Sequence, residues 1–384
     1  MLTRYGKLRV RAPFSSLEEH EVFAVQATRA QFCIRPNGEY GVLRIAGQTI
    51  EAKATDGVAV FWVEGLHPDT TYVANIEDQS GMSLGMLSVT TLPELRGPTS
   101  KFATISDVHL GANDFANQHS MSEPPDAKNP FALRCAAAAI AEAVEWGAEM
   151  LLIKGDLTDS GSEDDWDLAY RLLDDVPIPI LATWGNHDVW TTRDLDPEEI
   201  AGTLGLSPDP IVTAELDQVQ IVLADTSIPN RGRGDLEQHR ETLLGLVDVN
   251  KPVFLGIHHN IMRTPKPWFI PHGIPSTNAA PFLAELPDAN KNVFISAGHT
   301  HRNRRHTLGA RGDITFTEVS ATADYPGAWA GYEVSADIIR QTVQRTASAS
   351  ALEWSEQVRG AVGGIWPRWS QGLLDDRCVD MTIR

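Results

Sequence analysis

A chain of 384 residues is too long for one ordinary domain. Its formal charge of −19, from 32 Lys and Arg against 51 Asp and Glu, opposes binding to nucleic acid or anionic lipid over a broad face, because the protein's own field would have to be overcome. Cys33, Cys135 and Cys378 are far apart with no C-x-x-C pair, which excludes a disulfide framework and a thiolate zinc site. No apolar stretch has the length of a secretory signal or a membrane span, so the expected location is the cytoplasm.

From Val22 to Leu92 the chain consists of short β-rich runs, AQFCIRP, YGVLRIAG, VAVFWVEG, TYVANIED and LSVTTLP, broken by Asn37-Gly38 and Asp56-Gly57. Without any helical period, these predict a small antiparallel sandwich over residues 1–97. The piece LHPDTTY, Leu66 to Tyr72, resembles the L-x-P-x-T-x-Y turn of fibronectin type III domains. That resemblance implies a corner tyrosine at Tyr72 and a module for packing or for docking a protein partner or second copy, rather than for catalysis.

After PELRGPTS the pattern changes to apolar runs of four to six residues alternating with helical stretches, Pro130 to Trp146 and Glu163 to Asp174 among them. This is the sign of βαβ units and a buried, mostly parallel sheet, here predicted over residues 98–345, with antiparallel members from Asp313 to Val334. Residues 346–384 carry Trp354, Trp366 and Trp369, too much tryptophan for a free tail, and are expected to pack back on the body.

The residues that end each apolar run are the informative ones. FATIS leads to Asp107-Val108-His109, MLLIK to Gly155-Asp156, ILATW to Gly185-Asn186-His187-Asp188, VFLGI to His258-His259, and VFISA to Gly298-His299-Thr300-His301. Ligands bind beyond the carboxyl ends of strands in open α/β sheets, so five such ends aim Asp, His and Asn at one rim. The intervals of 49 residues from Asp107 to Asp156 and 30 from Asp156 to Asn186 each leave room for a crossover helix. In Asp107-x-His109 and His299-x-His301 the two-residue period of extended chain can send both side chains to one side. Gly155, Gly185 and Gly298 would allow the tight exits.

These blocks, D-x-H, G-D, G-N-H-D, a strand-terminal His and G-H-x-H, resemble the calcineurin-like metallophosphoesterase superfamily from Phe102 to about His306. The resemblance implies a four-layer αββα core and two metal ions, Asp107, His109 and His301 on one, Asn186, His258 and His299 on the other, with Asp156 between them. Imidazoles, carboxylates and an amide without thiolate suit Mn, Fe, Zn or Co better than Ca or Mg. Two divalent cations against two carboxylates and a bridging hydroxide leave a net charge of about +1, the local positive site that an acidic chain needs for an anionic substrate. The family pattern makes His187 the acid that protonates the leaving oxygen, with Asp188 orienting its imidazole.

In relatives the first histidine of a pair such as His258-His259 is the ligand, which leaves His259 to back the ligands or touch substrate. Asp159, Asn113 and His119 lie close to the blocks and are candidates for lining the pocket, and Asp225 for fixing a loop. Asp159 also stands where purple acid phosphatases have a tyrosine ligand. SDVHLG and GDLTDSGSEDDW look most like the class III cyclic nucleotide phosphodiesterase branch. The implied reaction is hydrolysis of small phosphodiesters, 3′,5′-cyclic nucleotides among them, by a metal-bridging hydroxide. The alternatives are a phosphomonoesterase, protein phosphatase or nuclease of the same fold, and a non-catalytic scaffold. Arg302, Arg304 and Arg305 are expected to pair with nearby acids rather than to form a nucleic-acid stripe.

Overall fold

The computed structural model describes residues 19–115, 118–124, 128–190, 197–247, 249–263 and 272–384. The N-terminal region is all antiparallel. Glu21–Val25, Ala30–Ile34 and Ala59–Val63 form a three-stranded sheet, and Gln48–Lys53, Tyr40–Ile45, Thr71–Asp78 and Ser83–Thr90 a four-stranded one. Alternation in Tyr40–Ile45 sends Leu43 and Ile45 inward against Phe32, Ile34 and Val63, the sandwich core. The Tyr72 hydroxyl accepts a 2.8 Å hydrogen bond from the His67 backbone, closing the turn as a corner tyrosine should. Strand order and corner together support a fibronectin type III-like class for this region, which we propose.

Ala30–Ile34 is buried at every position because its second face meets the rest of the molecule. Phe23, Cys33 and Val58 share a core with Phe102, Tyr332 and Val343.

Two six-stranded sheets form the rest of the body. One runs Ile180–Thr183, Leu151–Lys154, Ser100–Ile105, Ala328–Val334, Ile338–Arg345, Cys378–Thr382. The other runs Ile211–Leu216, Val219–Ala224, Val253–Ile257, Val293–Ala297, Ile314–Glu318, Arg304–Leu308. Phe102 and Tyr332 from the first stack at 4.8 Å, and Phe254 and Phe294 from the second meet Tyr332 at 4.7 and 5.8 Å, filling the space between the sheets. Helices Phe131–Glu145, Glu163–Leu173 and Ala349–Val358 cover the outside of the first sheet, and Arg240–Val247 and Ser276–Ala289 that of the second. Buried on both faces, strands such as Leu151–Lys154 and Val293–Ala297 read as unbroken apolar runs. The sheets are mixed: parallel pairing joins the ligand-bearing strands, and antiparallel strands extend both edges of the second sheet and one side of the first.

Among the described residues no helix is long and apolar enough to cross a membrane.

The C-terminal segment does more than cover the body, since Cys378–Thr382 is the edge strand of the first sheet. Trp354, 1% exposed, stacks on Phe131 at 3.8 Å and donates its indole N–H to Ala323 O at 2.7 Å. Arg302 forms a two-pronged ion pair with the buried Glu318, at 2.8 and 3.1 Å, and lies over the Trp369 ring at 4.2 Å. Arg302 thus pairs with an acid as expected.

This packing can be tested at two points. Trp354→Ala should destabilise the fold by about 3–5 kcal/mol in denaturant unfolding, the usual loss for a buried aromatic. Burial alone would raise the Glu318 carboxyl, but Arg302 and His306 outweigh it and hold it well below the usual carboxylate range. A depressed carboxyl contributes stability that is present above its unfolded value and lost as pH falls. The melting temperature should therefore drop between about pH 5 and pH 3, and less steeply in Glu318→Gln, which starts lower at neutral pH.

Candidate metal centre

The five predicted strand ends meet, but from two sheets: three exits belong to the first and two to the second. Backbone bonds lock adjacent exits together, with Asp107 N and Val108 N donating to Gly155 O and Asp156 O, and Gly298 N to His258 O. Among the described residues ten non-glycine positions have positive φ, and five of them are Asp107, His109, Asp156, His299 and His301, at 50 to 66°. Left-handed backbone at a non-glycine residue is uncommon, and its concentration on these side chains marks a functional site. The glycines act differently from expectation at two exits. Gly185 and Gly298 do not have positive φ, but a Cβ there would lie 2.1 Å from Asp156 Oδ1 or 2.5 Å from Asp107 Oδ2, so the carboxylates leave no room for a side chain.

The side chains form two adjoining groups. In one, His109 Nε2 lies 3.2 Å from His301 Nε2, which is 3.4 Å from Asp107 Oδ1. In the other, His258 Nε2 lies 3.2 Å from His299 Nδ1 and 3.3 Å from Asn186 Oδ1. Asp156 Oδ2 is 3.2 Å from His258 Nε2 and 3.9 Å from His109 Nε2, between the groups. Ligand atoms at metal bonds of about 2.1 Å are separated by roughly 3.0 to 3.4 Å, so this spacing fits cations better than it fits water or apolar filling.

The protonation states agree. Burial opposes charge on His258, yet Asp156 raises it to about 9; burial likewise opposes charge on His301, yet Asp324 and Asp107 raise it to about 9. Burial and the neighbouring His258 push His299 down to about 3. Without cations, the buried carboxylates thus retain protons on two imidazoles that metals would displace.

Two of the four outer nitrogens, on His258 and His301, are held by hydrogen bonds as metal-ligand histidines require, whereas the outer Nε2 of His299 has no partner among the described residues. His258 Nδ1 donates to Lys154 O at 2.9 Å, and His301 Nδ1 to Asp324 Oδ2 at 2.5 Å. His109 Nδ1 is 3.2 Å from Asp159 Oδ1. Burial favours the neutral acid at Asp159, but the His109 imidazole beside it holds its carboxyl low. His259 turns Nδ1 to the Thr226 hydroxyl at 2.9 Å, and its buried Nε2 has no hydrogen-bond partner. Its ring centroid is 4.7 Å from that of His299, so it backs the second group.

His187 stands at the cavity edge with its side chain 39% exposed, its ring edge-on to His109 at 4.6 Å and its Nδ1 donating to Asp159 O at 2.6 Å. Asp188 does not orient it. The Asp188 carboxylate is turned into the loop, where it accepts from Thr158 N, Thr158 Oγ1 and Gly185 N at 2.8 to 2.9 Å, tying the G-D turn to the G-N-H-D turn. Burial and then Asp156 raise this carboxyl to about 6.

Asp225 fixes its own turn by accepting from Ser227 N and Oγ. Asn113 is exposed, and its neighbours Ala112, Asp114 and Phe115 line the cavity in its place; the side chain of His119 lies outside the described residues. Asp324 was not anticipated, since it sits in SATADY with no motif around it.

A cavity of about 600 Å³ opens over both groups and extends onto the C-terminal segment.

Comparison with known proteins gives the family. Residues 100–303, 204 of the 384, match the calcineurin-like phosphoesterase model. A probable cyclic nucleotide phosphodiesterase of Psychrobacter arcticus is 29% identical over 173 residues, 42% of this chain and 60% of that relative's length. A second protein of that description, from Synechococcus sp., is 24% identical over 252 residues, 62% of this chain and 89% of its own. Among solved structures, the yellow lupin purple acid phosphatase PPD1 is similar with a TM-score of 0.46 and 10% identity, covering 85% of this chain and 72% of that one. PhoD is similar with a TM-score of 0.42 and 11% identity, covering 84% and 85%. The match over more than half of the sequence and the five strand-end blocks at its centre lead to one conclusion: this chain belongs to the calcineurin-like phosphoesterase family.

Proposed function

We propose that the chain is a dinuclear metal-dependent phosphodiesterase acting on small phosphodiesters. The observation that carries this reading is the placement of Asp156, whose one carboxylate faces His258 and His109 at 3.2 and 3.9 Å and so can serve two ions at once. Asp107, His109 and His301 would hold one ion, and Asn186, His258 and His299 the other. The donor set favours Mn, Fe, Zn or Co. Two such ions, when bound, supply a nucleophile at neutral pH and offset the charge developing on the phosphoryl oxygens.

The chain's own residues do the rest. Asp159 and Asp324 fix the His109 and His301 rings with Nε2 inward. Because His187 Nδ1 keeps its proton on the Asp159 carbonyl, Nε2 is the nitrogen left for the departing ester oxygen, and it can give that oxygen a proton only from the imidazolium, a form that burial and then His109 disfavour. Asp188 acts on this step only by fixing the loop. Similarity to two probable cyclic nucleotide phosphodiesterases favours cyclic nucleotides within this class of diesters.

Purified protein loaded with Mn should bind close to two equivalents and hydrolyse bis(4-nitrophenyl) phosphate faster than 4-nitrophenyl phosphate; the opposite preference overturns the diesterase assignment. Asp156→Asn should cost about a hundredfold or more in turnover together with bound metal, since even residues behind a ligand cost ten- to a hundredfold. His187→Ala should keep its metal and lose about 10²- to 10⁴-fold on a diester with an alkyl leaving group. With 4-nitrophenolate, which leaves without a proton, the loss should be far smaller, and equal losses on both would remove His187 from the acid role.

A further inference from the structure

The cavity has two unlike halves. One is the Asp and His cluster; the other is apolar and is built largely by the C-terminal segment, where Val362, Ile365, Trp366 and Trp369 line it with Phe115. Val362 and Ile365 are 43% and 49% exposed, among the most exposed large apolar residues described. Trp366 meets Phe115 edge-to-face at 5.0 Å, and its ring centroid is 6.1 Å from that of His301. The apolar wall therefore begins one ring's width from the metal cluster.

Val362 is held at φ 51°, ψ 41°, a conformation that a β-branched residue adopts only under constraint, between Ala361 and two glycines that also have positive φ. Glycine or asparagine would suit that backbone better, so an exposed valine there is not explained by folding. The wall also lacks charge of the kind a second phosphate would need: no lysine or arginine lines the cavity among the described residues. Arg302, whose guanidinium lies over the Trp369 ring, is committed to Glu318.

Resting on the phosphodiesterase reading, we propose that this wall binds a flat apolar ring carried by one arm of the phosphodiester, and that residues 361–369 set which esters are accepted. Aromatic rings prefer offset or edge-on contact with other aromatic rings, which Phe115 and Trp366 offer, and the branched chains of Val362 and Ile365 close the remaining side. A substrate with further phosphates would find apolar surface and no cation to meet them.

Alkyl- and arylphosphonates test this without turnover, because they share one anionic head and carry a single arm. Calorimetric titration of the Mn-loaded full chain should show phenylphosphonate binding at least about tenfold tighter than methylphosphonate, as even one methylene in an apolar pocket is worth about tenfold. Butylphosphonate should lie between them. In the double variant Val362→Asn, Ile365→Ser, the phenyl advantage should fall to within about twofold while methylphosphonate binding stays unchanged. Equal affinity for phenyl- and methylphosphonate in the wild type overturns the proposal, as does a butyl arm that binds as well as phenyl or a variant that loses both ligands alike. Failure of the Mn-loaded wild type to bind any of the three would instead overturn the metal-site reading on which the proposal rests.

Discussion

Two carboxylates, Asp107 and Asp156, are buried to 0% and 2% exposure among six imidazoles, and the rest of the structure depends on how that charge is tolerated. Burying an ion without compensation costs far more than a domain's net stability. Compensation comes in layers. Backbone N–H groups of His299 and His187 donate to the two carboxylates, imidazoles surround them, and Lys154 lies beneath with its ammonium donating to Ser296 Oγ and Ala297 O. Burial lowers that lysine to about 7 while Asp107 acts to keep it charged. Such a cluster is an expensive arrangement for a protein with no use for cations, and it is held by backbone in left-handed conformations at five of its members.

Rigidity around the cluster comes from the ends of the chain. Arg377, 2% exposed, donates to Phe23 O and Val22 O and pairs with Glu21, while Arg345 pairs with Glu356, which also takes both prongs of Arg35. Gln31 completes the seam by exchanging two hydrogen bonds with the Arg345 backbone, as a neighbouring strand would. Through these contacts the C-terminal segment joins the N-terminal sandwich to the first sheet and, a few residues earlier, walls the cavity. The Trp369 indole donates to Thr300 O, between the two histidines of G-H-T-H, so the same segment steadies a ligand-bearing loop.

Much of this was legible in the sequence, for physical reasons. Sequence pattern located the helices Phe131–Glu145 and Glu163–Leu173 almost to the residue, and the structure adds a Ser162–Asp165 capping box that fixes the start of the latter. Strand ends located the candidate ligands because a strand's direction fixes where its last side chains emerge. Contacts between distant segments were not legible. Asp324 reaches His301 across a loop with no motif, and Asp188, adjacent to His187 in sequence, turns away because two backbone N–H groups and a hydroxyl compete for its oxygens and win. Two sheets were implied by the family resemblance, but which exits belong to which sheet was hidden, since each exit reads the same whichever sheet contains it.

Charge links the cluster to the cavity wall. A chain at −19 attracts divalent cations and repels polyanions at long range, and the field weakens with salt. On the proposed reading, an anionic substrate would be drawn in by the metals at short range, and a diester with a single negative charge would suffer least from the surrounding field. With a phosphoryl group so placed, electrostatics would have little further means of telling one diester from another, because the other half of the cavity carries no lysine or arginine among the described residues. Discrimination then falls to shape and apolar contact, which the sequence supplies through Phe115 and residues 361–369, the latter outside the stretch that matches the family. On the proposed reading the reaction thus lies at the strand ends, and selectivity largely in a segment that follows the last strand of the second sheet.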